Sequence, residues 1–184
     1  MTELVNVGGW LEQAPAGRTA LVFEDGRSWT YGELDHWAGS ISALLRDKHD
    51  VTKGDRVAFL GLNDPAMIAL LFACARLGAI LVPLNWRLAA AEIAFIVDDC
   101  APNVLFYADE FAEAARACVC SSARSSALEV AALEERPDRG EGRLDDPLLI
   151  VYTSGTTGRP KGAVLSQRAL VSNAAGSIDM HALS

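Results

Sequence analysis

The chain has 184 residues, 51% hydrophobic and 22% charged, with a formal net charge of -8. That length suits one domain or a large piece of one, and the composition excludes a disordered chain. With 16 Lys and Arg against 24 Asp and Glu, there is no basic patch to recruit nucleic acid, so a bound anion must be held by local donors.

Residues 1–13, MTELVNVGGWLEQ, lack the basic start and apolar stretch of a signal peptide. Residues 19–31 read as two short β-type runs about Asp25-Gly26, a two-residue hairpin signal. Over 32–48, Leu34, Trp37, Ile41, Leu44 and Leu45 recur at helical spacing. Residues 55–61, DRVAFLG, predict a short buried strand, and Asn63 or Asp64 then caps a helix with Pro65 in its first turn. Residues 65–84 are nearly all apolar and almost long enough to span a bilayer. Arg76 interrupts them, however, Gly78 follows, and the remainder turns β-branched. We read a buried helix ending near Gly78 and a buried strand from Ile80 to Leu84, with no transmembrane segment.

A helix is expected over 89–99, a strand over 103–108 and a helix from 109 to about 120. Residues 120–147 are polar, charged and turn-rich, and read as a flexible connector. Residues 148–153, LLIVYT, form a further buried strand; 162–165 is short and β-like; a helix then runs from about Gln167 to the end. Strand and helix alternating in this rhythm predict an α/β domain with a largely parallel sheet flanked by helices, preceded by an N-terminal β-hairpin. The chain stops at Ser184 without a cap or tail signal, which reads as a cut inside a larger protein.

Cys74, Cys100, Cys118 and Cys120 lack the spacing of a redox pair or zinc knuckle, and His36, His49 and His181 are scattered. Reduced thiols and a cytoplasmic location are the expectation. Trp10, Trp29 and Trp37 read as core or interface packing, and Asp55 and Arg56 as an ion pair or turn at a strand start. Asn85, Trp86 and Arg87 either border a ligand cleft at a strand's C-terminal end or form a structural turn.

The chemistry concentrates between residues 152 and 162, YTSGTTGRPKG. A polyphosphate needs donors without steric walls and some positive charge. Gly155, Gly158 and Gly162 allow sharp turns and close backbone approach. Thr153, Ser154, Thr156 and Thr157 add hydroxyls, and Lys161 adds a mobile point charge stiffened by Pro160. The pattern is not a Walker A loop. Counting from Gly155, Pro160 stands where that motif needs glycine, and Gly162 where it needs Ser or Thr.

The ordered string YTSGTTGRPKGAVLS resembles the signature loop of the adenylate-forming superfamily, which includes acyl-CoA synthetases and peptide-synthetase adenylation domains. WTYGELD at 29–35, VTKGDRVAFLGLND at 51–64 and RLGAILVPLNWRL at 76–88 look like further landmarks of that family. The resemblance covers nearly the whole chain, most weakly over 109–145. It implies the N-terminal part of the large AMP-binding domain over residues 1–184, with the rest of that domain and a C-terminal lid domain absent. It also implies that the full-length protein is an AMP-forming acyl-CoA synthetase using ATP, Mg2+ and coenzyme A on a carboxylic acid, fatty by first expectation. An adenylation domain loading a carrier protein, or a non-catalytic nucleotide-binding fragment, are the alternatives. The implied nucleotide-binding residues are Thr153, Ser154, Gly155, Thr156, Thr157, Gly158 and Lys161, with Ser154 or Thr157 as a magnesium contact. No catalytic residue is expected within the fragment, which would be inactive alone, and a homo-oligomer is possible. Where the family often has His, this chain has Gln167, expected to pack beside the loop.

Overall fold

A β-strand sends successive side chains to opposite faces, and the central strands use both faces for burial. In β3 (Arg56–Leu60), Val57 and Phe59 enter one apolar cluster while Ala58 and Leu60 enter another. β4 (Ile80–Leu84) divides Leu81 from Val82 and Leu84 in the same way, and β5 (Val104–Tyr107) divides Val104 and Phe106 from Leu105. Near-continuous apolar runs of this kind belong to parallel strands covered on both sides. The computed structural model describes residues 4–23, 26–131, 140–153 and 159–181, and it pairs β3 in parallel with both β4 and β5.

The six-stranded sheet is completed by β6 (Ser122–Arg124), β7 (Pro147–Thr153) and β8 (Lys161–Ser166), in the order β6-β5-β3-β4-β7-β8. Only β8 runs antiparallel. One face is covered by α1 (Gly9–Gln13), α2 (Tyr31–His49), α3 (Pro65–Leu77) and Leu128 of α6 (Ser126–Ala131). The other is covered by α4 (Ala90–Cys100) and α5 (Ala112–Arg116), with a 3-10 turn at Asp109–Phe111 between β5 and α5. From β3 the chain steps through α3 to β4. From β4 it steps back through α4 to β5, on the far side of β3. This reversal puts α3 and α4 on opposite faces, the doubly wound arrangement.

Local signals explain the boundaries. Asp64 accepts the Ala66 amide at 2.7 Å ahead of Pro65, and Gly78 (φ 69°) closes α3 in the left-handed conformation. α3 has 13 residues, and among the described residues no helix is long and apolar enough to cross a membrane. Thr30 and Glu33 form a reciprocal capping box on α2. Arg56 is more than a strand-start ion pair: its guanidinium donates to the Cys100 and Ala101 carbonyls at 2.8 and 2.7 Å, capping the C-terminus of α4 from the neighbouring strand. The buried Arg76 guanidinium binds both the Asp35 carboxylate and the Asp35 carbonyl, tying α3 to α2.

Three expectations change. The N-terminal hairpin joins β1 (Thr19–Val22) to β2 (Ser28–Thr30), but the Phe23 amide donates to the Arg27 carbonyl at 2.8 Å. The turn is therefore longer than two residues, and Gly26 (φ 83°) supplies its left-handed position; Asp25 lies outside the described residues. The helix expected to reach about residue 120 ends at Arg116, because the chain must turn to lay β6 along β5. Residues 122–131, within the stretch read as a connector, form β6 and α6. There Leu128 is fully buried and its carbonyl accepts the Trp37 indole N–H at 2.6 Å. Trp37 also stacks on Trp29 at 4.6 Å. Residues 132–139 of the same stretch lie outside the described residues.

Candidate functional site

The C-terminal ends of parallel strands are where α/β sheets bind ligands, above all where adjacent strands send their connections to opposite faces. Here that point lies between β3 and β4. Gly61 to Asp64 lead off to α3, whereas Asn85 to Ala89 lead off to α4 on the other face. A cleft of about 260 Å³ opens there, lined by Gly61, Leu62, Asn63, Leu84, Asn85 and Trp86, and walled on one side by Val151 and Tyr152 of β7. Two larger clefts, of about 400 and 500 Å³, open beside the N-terminal hairpin around Phe23, Asp64 and Pro65. Among the described residues neither is lined by one from the candidate loop, whereas the smaller cleft is lined by Tyr152 at the loop's start.

Asn85, Trp86 and Arg87 combine the two roles left open by the sequence. Asn85 makes a turn, its side chain accepting the Arg87 amide at 3.1 Å and its carbonyl the Leu88 amide at 3.1 Å. Asn85 and Trp86 also line the cleft, and the Arg87 guanidinium lies 5.0 Å from the Trp86 ring centre.

β7 runs parallel to β4, so its C-terminal end reaches the same edge of the sheet. Thr153 there pairs with Lys161 at the start of β8. The two outermost members of the predicted phosphate-binding set are thus cross-strand neighbours, both exposed to solvent, at the mouth of a hairpin beside the cleft. Ser154, Gly155, Thr156, Thr157 and Gly158, including both candidate magnesium contacts, lie outside the described residues. Among the described residues no three His, Cys, Asp or Glu side chains converge as a metal site.

Gly162 has a packing role that the sequence did not show. It lies within β8 opposite Tyr152, and a Cβ there would come within 2.7 Å of the Ile150 side chain and 3.1 Å of the Tyr152 ring. A side chain here would press on Ile150 and on the Tyr152 ring, so packing within the hairpin by itself favours glycine at this position. The Tyr152 hydroxyl in turn donates to the Asp99 carboxylate of α4 at 2.5 Å. Burial first, and then the bond to Asp99, hold the phenol well above the usual tyrosine range. No sequence signal joined these residues, which are 53 positions apart.

Gln167 does not pack beside the loop. It follows the far end of β8, where Ser166 pairs with Pro147. Its side chain is fully buried, accepting the Val7 amide at 2.7 Å and donating to the Ala75 carbonyl at 2.9 Å. An amide carries both an acceptor and a donor, so one side chain satisfies two buried backbone groups.

Comparisons with known proteins agree with this architecture. A family model described as AMP-binding enzyme matches residues 9–183. An indoleacetate–CoA ligase of Aromatoleum aromaticum is 42% identical over 183 residues, covering 91% of this chain and 36% of that protein. The structure of a Mycobacterium tuberculosis fatty acyl CoA synthetase superposes with a TM-score of 0.79 at 30% identity, covering 88% of this chain and 34% of that one. ATP-bound MatB from Rhodopseudomonas palustris superposes with a TM-score of 0.77 at 28% identity, over 95% of this chain and 37% of that one. The chain thus spans about a third of the length of the proteins it matches. The ordered loop motif, the doubly wound sheet that presents its two ends, and the match over residues 9–183 together place this chain in the AMP-binding enzyme family.

Proposed function

We propose that this chain supplies the phosphate-holding wall of an AMP-forming acid–thiol ligase. The observation that carries the reading is the pairing of Thr153 with Lys161 at the cleft edge, which gives a hydroxyl and a mobile cation at the two ends of a glycine- and threonine-rich loop. In the proposed reaction a carboxylate attacks the α-phosphorus of ATP, forming an acyl-adenylate and releasing pyrophosphate. A thiol, that of coenzyme A, then takes the acyl group and AMP leaves. A carboxylate is a poor electrophile, and adenylation gives it a good leaving group. The protein's task is positioning and stabilisation of charge on the departing phosphates.

Within that scheme Lys161 neutralises the β- and γ-phosphates that become pyrophosphate, and Thr153 donates to them. Ser154, Gly155, Thr156, Thr157 and Gly158 complete the cradle. Magnesium enters as the counter-ion of the nucleotide, with Ser154 its proposed protein contact. The acid is kept at the level of carboxylic acids, because proteins named for indoleacetate and for a fatty acyl group share this stretch. A cytosolic setting belongs to the same proposal, and the four free cysteines fit it.

Isothermal titration of the chain with magnesium pyrophosphate tests the reading. Binding is expected, and Lys161→Ala should weaken it roughly ten- to a hundredfold, the loss of a charge-assisted bond. Equal affinity for both proteins would overturn the assignment. Acid-dependent ATP–pyrophosphate exchange is expected only when the 184 residues are joined to the remainder that the longer relatives carry. Exchange by the 184 residues alone would show that this third suffices.

A further inference from the structure

β8 stands at an edge of the sheet but has the composition of a central strand. Among the described residues its only strand neighbour is β7, so the outer side of its backbone offers unpaired N–H and C=O groups. Natural edge strands are guarded by shortness, charge, proline or a bulge. β8 is six residues long, its charge is confined to Lys161 at its start, and Gly162 to Leu165 include neither charge nor proline. Its apolar residues also point to both faces, the pattern of a strand covered on each side. Ala163 and Leu165 lie across from Val151 and Leu149, and Val164 lies across from Ile150 on the opposite face. Yet Val164 is 59% exposed and Leu165 38%. Among the described residues nothing covers this edge or the two faces beside it.

The strand matches itself. In an antiparallel pair, residues directly opposite each other share the same hydrogen-bonding role. Roles alternate along a strand, so a strand paired with its own copy about a two-fold axis must centre on a residue and not between two. Centring on Val164 sets Val164 against its copy, Ala163 against Leu165 and Gly162 against Ser166. Together with the partners in β7, this gives an unbroken apolar row on one face, from Ile150 through both Val164 side chains to the second Ile150. On the other face, rows run from Leu149 through Leu165 to the second copy's Ala163 and Val151. Lys161 falls outside these pairs, and the axis sends the two copies of it to opposite ends, so no like charges meet. Centring on Ala163 instead would set Lys161 against Leu165 and leave two alanines at the axis.

We propose that the outer edge of β8 is a homodimer interface. Two copies of this chain pair antiparallel along β8 about an axis through Val164, joining two six-stranded sheets into one. Such an interface is isologous, each Val164 meeting the other. Strands this short bury less than a standard interface, so the dimer is concentration-dependent. The hairpin mouths of the two copies point in opposite directions, and the strand pairs use neither Thr153 nor Lys161. The inference therefore stands or falls apart from the phosphate-binding reading above.

Sedimentation velocity on the 184-residue chain tests this. The dimer fraction should grow with concentration through the micromolar range, and hydrogen exchange at the amides of 162–166 should slow in step with it, with β1 and β2 unchanged. Val164→Lys sets like charges against each other at the axis and should weaken the dimer at least about tenfold. Because Val164 is exposed, the melting temperature of that variant in dilute solution should stay level. Val22→Lys charges a valine of β1 that is 73% exposed and should leave association unchanged. On mild oxidation with diamide, Val164→Cys should give a covalent dimer linked at position 164 in both copies. Ala163→Cys should not, since Leu165 faces it across the axis. A dimer indifferent to Val164→Lys, or linkage at position 163 in preference to 164, would overturn the proposal. So would a chain that stays monomeric, which would leave the edge to a further segment of a longer polypeptide.

Discussion

The centre of the sheet and its β7–β8 edge are built to opposite specifications. In β3 and β4 eight of ten residues are buried, and both faces are sealed by helices. In β8 five of six residues are exposed, among them Val164 at 59%. The centre spends its side chains on packing and gives the cleft only the apolar Pro83 and Leu84. β8 spends few on packing, and the hairpin it forms with β7 ends in the hydroxyl and ammonium proposed to meet phosphate. A rigid centre that presents a less constrained loop is the usual division between scaffold and site; here it falls between adjacent strands of one sheet.

Substitutions at four positions probe that division, in descending order of expected cost. Phe59→Ala at the centre removes a ring that is 1% exposed and should cost about 3–5 kcal/mol in denaturant unfolding; a cost below about 1 kcal/mol would mean the centre is not the stabilising element. Gln167→Leu strands the Val7 N–H and the Ala75 carbonyl in a dry site and should cost about 2–3 kcal/mol. Gln167→His is expected to recover part of that loss in the same measurement, since imidazole can serve one of the two groups. Gly162→Ala forces the new methyl against Ile150 and Tyr152 and should cost about 1–2 kcal/mol, with hydrogen exchange rising at the hairpin. Val164→Ala on the exposed face of the edge should change stability by less than about 0.5 kcal/mol. A large Val164 effect would erase the contrast and show that the edge is packed as tightly as the centre.

The elements most legible in the sequence are those whose signal is local. The β4 run, the Asp64–Pro65 start of α3 and its Gly78 stop, and the helical spacing of α2 each follow from the residues within the element. The illegible ones draw their stability from elsewhere. Ser122-Ala123-Arg124 has no apolar run, and it becomes a strand because β5 offers it an unpaired edge. α6 is a short helix anchored by Leu128, and nothing nearby announces that Trp37 will bond its carbonyl. The site divides the same way. Thr153 and Lys161 were legible as members of an ordered motif, whereas Tyr152 with Asp99, and the cleft between β3 and β4, depend on strand order. Gly162 was visible as a glycine of the motif, and the opposing Ile150 and Tyr152 side chains add a packing reason that the sequence did not show.

The bond between Val7 and Gln167 spans 160 positions, which gives it a consequence during synthesis. At roughly 5–20 residues per second, the N-terminal segment waits on the order of ten to thirty seconds for its partner to leave the ribosome. Until then the Val7 amide has no buried acceptor and the Ala75 carbonyl at the end of α3 has no donor. The far end of β8 cannot be anchored before that moment. Among the described elements, the strand that bears Lys161 is thus set after the central strands, and the nascent chain carries this part of its scaffold before the hairpin.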